Sequence, residues 1–186
     1  MNNISLFLKE LNVIREDYER RAKREEQFNI FSVLYKSNDE VNLHSRFISS
    51  LLNPYGSHRL SDFCLRSFLE TCRYPSLFVT KLLAPGVEVY PNEYDQSERD
   101  EIDILIINKR TSFALFIENK IGAKDSNHDE HGQLEGYYQV LIEKHHIPEE
   151  NLEAMFLSPG REPSDESIGN RYPRLKKILK IIHYND

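Results

Sequence analysis

From Ser5 to Glu26, apolar residues return at three- and four-residue steps (Phe7, Leu11, Ile14, Tyr18, Ala22) with charges between them. That spacing is the stripe of an amphipathic helix, so a long helix is expected to open the chain. The apolar stretch Phe28 to Tyr35 predicts a second helical piece. Ser37-Asn38-Asp39-Glu40 then supplies capping residues for a helix running to about Leu52, and Asn53-Pro54-Tyr55-Gly56 stops it. Phe63, Leu65, Phe68 and Leu69 place a further helix over Ser61 to Cys72, closed by Tyr74-Pro75.

After Pro85-Gly86 the period shortens. Val87, Val89 and Tyr90 predict a short strand. Glu101 to Ile107 and Ser112 to Lys120 predict two buried strands, joined as a hairpin by the turn residues Asn108-Lys109-Arg110-Thr111. Helical spacing resumes from Gly132 to Lys144 through Leu134, Tyr137, Tyr138, Leu141 and Ile142, and Ala154 to Leu157 reads as another strand. Lys177 to His183 fits a helix end or a strand. The expected architecture is α/β: a mixed sheet built on a central hairpin, flanked by helices and preceded by the long amphipathic helix. Residues 1–36 are expected to be a helical extension and 37–186 the domain. Because His183-Tyr184-Asn185-Asp186 follows directly on an apolar run, a longer parent chain is also expected.

Composition supports one packed domain: 186 residues with 39% hydrophobic content can bury a real core, and a charged fraction of 29% keeps its surface polar. The apolar run Phe113 to Ile117 is far short of the roughly 20 residues a spanning helix needs, and the first residues carry no secretory pattern. A cytoplasmic location is the expectation. Cys64 and Cys72 stand eight apart in one predicted helix, too far for a disulfide along a straight helix, and are expected to be reduced.

The formal net charge of −6 runs against phosphate binding, but the charges are segregated. Arg171, Arg174, Lys176, Lys177 and Lys180 make a basic tail, whereas Asp95 to Glu101 and Asp125 to Glu135 are acidic. A carboxylate-rich centre suits a cation. Residues i and i+2 of a strand share a face about 6.5 Å apart, so Glu118 and Lys120 project together and Asn119 points away. Asp103 is an acid inside Glu101-Ile102-Asp103-Ile104-Leu105, where burying an unpaired carboxylate costs several kcal/mol. With the hairpin turning near Lys109-Arg110, Asp103 and Glu118 lie at matching distances from the turn and can converge on one Mg²⁺. The plain alternative is an Asp103–Lys120 salt bridge, which would leave the charge of Glu118 unneutralised.

An Asp on one strand followed by Glu118-Asn119-Lys120 on the next resembles the PD-(D/E)XK nuclease superfamily, with Ile102 where that family's motif has proline. Gln133-Leu134-Glu135-Gly136-Tyr137 is similar to the Gln-x-x-x-Tyr motif of its RecB-like branch. The surrounding Glu40, His44-Ser45, Leu51-Leu52-Asn53-Pro54 and His58 resemble one bacterial subgroup. The resemblance implies a restriction-endonuclease-like core and a site of Asp103, Glu118 and Lys120, with Glu40 or His44 completing the metal ligands. It also implies that Gln133 and Tyr137 contact the substrate backbone or the catalytic acids. Glu93 and Arg99 are candidates for supporting the site. Glu40 equally fits a capping box with Ser37, and His44 a core histidine facing Phe47, Ile48 and Leu51. His128 and His131, with Asp125 and Asp129, read as a solvated loop.

The function expected is Mg²⁺- or Mn²⁺-dependent phosphodiester hydrolysis, with DNA as the nucleic-acid partner. Two rivals accompany it: a nuclease-like module that binds nucleic acid or protein without turnover, and an assembly module whose first helix pairs with another copy or a protein partner.

Overall fold

Val, Ile, Leu and Phe dominate the strand segments, and strands rich in such residues are covered on both faces. The computed structural model, which describes residues 44–91, 102–121 and 132–184, shows that arrangement. The expected first helix, Glu40, Glu93, Arg99, His128 and His131 lie outside the described residues.

The described elements run α1 (Arg46–Leu52), α2 (Phe63–Thr71), α3 (Ser76–Leu82), β1 (Val87–Tyr90), β2 (Ile104–Asn108) and β3 (Phe113–Asn119). Then come α4 (Gln133–Glu143), β4 (Leu152–Ser158), α5 (Asp165–Ile168), α6 (Leu175–Ile178) and β5 (Leu179–His183). The five strands form one sheet in the order β1-β2-β3-β4-β5. β1, β2 and β3 are antiparallel neighbours, whereas β3, β4 and β5 run parallel. The fold is therefore α/β with a mixed sheet and a central hairpin, as the pattern predicts.

Alternation along the strands splits the core into two layers. Ile104, Ile106, Leu115 and Ile117 point to the face covered by Leu65, Leu69, Phe78 and Leu82 of α2 and α3. Leu105, Ile107, Ala114 and Phe116 point to the other, covered by Leu134, Tyr138 and Leu141 of α4 and Leu175 of α6. Burying a side chain of this kind is worth about 1.5–3 kcal/mol, and all five residues of β2 are buried.

Helix α3 is an addition to the expected pattern. Its seven residues, Ser-Leu-Phe-Val-Thr-Lys-Leu, carry no clear helical period, and it forms because Phe78, Val79 and Leu82 pack on the sheet. Asn108 fixes its end: the amide donates to Leu82 O at 3.2 Å and Ala84 O at 2.6 Å. Its oxygen accepts from the Arg110 and Thr111 N–H groups, closing the hairpin turn. The 177–183 segment is both alternatives in turn, helix through Ile178 and then strand β5. Cys64 and Cys72 are free thiols, and burial pushes the Cys72 thiol up.

Candidate active site

The register pairs Ile104 with Ile117, so Asp103 and Glu118 come next at the open end of the hairpin. There the chain departs from a ladder: the carboxylate of Asp103 takes the place of a strand carbonyl, and its Oδ2 accepts from Asn119 N–H at 2.8 Å. Both acids are withdrawn from solvent, Asp103 at 7% and Glu118 at 0% exposure. Lys120 Nζ lies 2.8 Å from Glu118 Oε1, so Glu118 and Lys120 form a buried ion pair.

Gln133 and Tyr137 share one face of α4, and the Gln133 amide donates to the Tyr137 hydroxyl at 2.7 Å. Tyr137 packs edge-on against Phe116, two residues before Glu118. Its phenol is pushed far above the ordinary range, by burial first, then by the negative charges of Glu118 and Asp103. The ring contact with Phe116 sets the phenol near the end of β3 that carries Glu118. Four of the expected residues, Asp103, Glu118, Lys120 and Tyr137, thus gather at one place, with Gln133 behind Tyr137.

The position of α4 depends on two backbone approaches. A Cβ on Gly132 would lie 1.8 Å from the carbonyl oxygen of Glu166, so only glycine lets the helix start against α5. Gly169, at φ +67°, has the Glu135 carboxylate where its Cβ would be, and Glu135 Oε1 accepts from Arg171 N–H at 2.6 Å. Glu135 belongs to an acidic run in the sequence, yet it is 6% exposed and holds the 169–171 turn.

Asn119, the middle of the Glu-x-Lys triplet, points to the opposite face, as expected. Its amide donates to Ser45 Oγ at 3.0 Å, and its oxygen accepts from the Tyr184 hydroxyl. The triplet therefore links the start of α1, the end of β5 and the acids, and nothing local in the sequence marks Ser45 or Tyr184 for that role. His44 is half-buried beside Ser45. Phe47 and Leu51, expected to cover it in the core, are 52% and 41% exposed. His58 shapes a loop: its Nδ1 accepts from Leu60 N–H at 3.0 Å and its Nε2 contacts Asn53 O at 2.9 Å.

Among the described residues no group of three or more acidic, histidine or cysteine side chains gathers as a metal cage. Two carboxylates are withdrawn from solvent at this point, with one ammonium beside them. That donor set fits a hard divalent cation completed by water and phosphate oxygens.

A mixed five-stranded sheet with helices on both faces and an acid pair at the open end of its central hairpin defines a restriction-endonuclease-like α/β protein. A family model described as the PD-(D/E)XK nuclease superfamily matches residues 28–186, and the chain belongs to that superfamily. Comparisons with curated proteins and with solved structures gave no match. Metal-dependent phosphodiester hydrolysis is the chemistry of the superfamily. Among the described residues no helix is long and apolar enough to cross a membrane.

Proposed function

We propose that this protein is a Mg²⁺- or Mn²⁺-dependent deoxyribonuclease in which Asp103 and Glu118 hold the cation and Lys120 faces the scissile phosphate. The observation that carries the reading is the convergence of two buried carboxylates and a lysine, drawn from adjacent strands, at one edge of the sheet. When bound, the cation would lower the pKa of a water molecule and offset charge developing on phosphoryl oxygens. Each residue of the chain has a separate task. Asn119 N–H orients the Asp103 carboxylate, and Lys120 fixes one oxygen of Glu118. The Lys120 ammonium also places positive charge where the phosphate becomes more negative. Tyr137 keeps its proton at any ordinary pH, so it serves as a hydrogen-bond donor at the acids and not as a base. Gln133 sets the direction of that hydroxyl. Glu40 is the proposed additional ligand, and the proposed setting is cytoplasmic.

The test is cleavage of linear, circular and single-stranded DNA, and of RNA, with Mg²⁺, Mn²⁺ or EDTA, by wild type, Asp103→Ala and Lys120→Ala. Metal-dependent DNA cleavage present only in wild type supports the reading. Equal cleavage by all three refutes the site. A second reading, a binding module for nucleic acid or a protein partner with little turnover, draws on the closed Glu118–Lys120 pair, which already neutralises one acid internally. Metal binding without cleavage of any substrate would favour it.

A further inference from the structure

The parallel strands β3, β4 and β5 end at the same edge of the sheet, the edge where open α/β sheets take their ligands. Asn119 pairs with Leu157, so Lys120 and Ser158 follow on the next row, and Lys120 N–H donates to Leu157 O at 2.8 Å. Ser158 in turn pairs with His183. Strand alternation puts Ser158 and His183 on the α4 side with Phe156 and Ile181, which is also the side of Glu118. Lys120, Ser158 and His183 therefore form one row leading away from the acids, and two strand spacings, roughly 10 Å, separate its ends.

Ser158 is fully buried and serves as a structural hub. Its hydroxyl accepts from Arg161 N–H at 2.9 Å and Gly160 N–H at 3.3 Å, and donates to Arg161 O at 2.8 Å. The ring Nδ1 of His183 stands 3.3 Å from the same hydroxyl, whose two lone pairs are taken by those N–H groups. That contact fixes the imidazole and turns Nε2 outward. The side chain of His183 is 28% exposed, and Nε2 faces a carboxylate oxygen of the largely exposed Glu162 at 3.8 Å. An anion thus already stands at the distal nitrogen. Arg161, exposed on the same turn, adds positive charge in a chain whose net charge is −6.

We propose that His183 Nε2 and Arg161 form a subsite for a nucleic-acid backbone phosphate neighbouring the scissile one, with Glu162 occupying the place of that anion in the absence of substrate. This rests on the nuclease reading, and contacts of this kind set register and affinity without reading sequence.

The experiment measures binding of fluorescent single- and double-stranded DNA oligomers to the full chain in EDTA, by anisotropy, alongside thermal unfolding of each variant. His183→Asn keeps an amide group near the place of Nδ1 and removes Nε2, whereas His183→Gln extends a donor toward the place of Nε2. The expected results are affinity weakened about tenfold by His183→Asn, largely retained by His183→Gln and raised by Glu162→Gln. Arg161→Ala should reduce the salt dependence of binding by roughly one counterion. Unfolding temperatures should match throughout. Wild type that binds DNA while all four variants bind identically would overturn the subsite alone. Wild type that neither binds nor cleaves any nucleic acid would overturn the nuclease reading and the subsite with it.

Discussion

The backbone N–H of Asn119 donates to the Asp103 carboxylate at 2.8 Å, so the residue inside the Glu-x-Lys triplet orients the acid of the neighbouring strand. Asp103→Asn keeps an oxygen for that N–H and removes the negative charge that faces Glu118. The fold should survive. Cleavage and any Mg²⁺-induced rise in unfolding temperature should disappear. A Mg²⁺ shift as large as that of wild type would remove Asp103 from the ligand set.

Lys120 and Glu118 form an ion pair with both side chains almost fully buried, at 8% and 1% exposure. Removing one partner of such a pair costs about 3–5 kcal/mol, because the remaining charge stays desolvated. Lys120→Met should therefore be strongly destabilised in urea unfolding, and adding Glu118→Gln should restore much of the loss. A double variant no more stable than Lys120→Met would show that the lysine acts through packing instead.

Burial pushes the phenols of Tyr74, Tyr137 and Tyr138 above their ordinary value of 10.0, with nearby carboxylates adding to the effect. The folded state holds these protons more tightly than the unfolded chain does. Their contribution is therefore fully present below about pH 10 and is lost as the pH rises above it, when the unfolded chain ionises first. Urea unfolding from pH 8 to 11 should show stability falling above pH 10, with a shallower fall in Tyr138→Phe. A pH-independent stability across that range would contradict the burial of these hydroxyls.

Two glycines four residues apart should respond in opposite directions. Gly136 lies inside α4 with nothing within 4 Å of an added Cβ, so Gly136→Ala should stabilise by roughly 0.5–1 kcal/mol. Gly132→Ala drives a Cβ into the Glu166 carbonyl, which is backbone and cannot rotate aside. Its expected result is a large stability loss, together with loss of cleavage as Gln133 and Tyr137 shift. Equal unfolding temperatures for the two variants would contradict the close approach of α4 and α5.

By itself the sequence determined the order and type of most elements, because each long periodic run had one stable solution: α2 and α4 as helices, β1 to β4 as strands. Helix α3 was not legible, since seven mixed residues take their conformation from the sheet they cover and not from their own period. The alignment of Asp103 with Glu118 was legible because hairpin register follows from distance to the turn, and the shared helical face of Gln133 and Tyr137 because of their four-residue step, while only the family resemblance pointed to a role for that second pair. Only the tertiary structure decided that Lys120 pairs with Glu118, that Asn119 links Ser45 to Tyr184, that Glu135 is buried, and that Ser158 and His183 share the row of Lys120. Those relations join residues as much as 74 positions apart in the chain. Their geometry is set by parallel strand pairing and by helices packed across the sheet, and no local pattern of side chains encodes either.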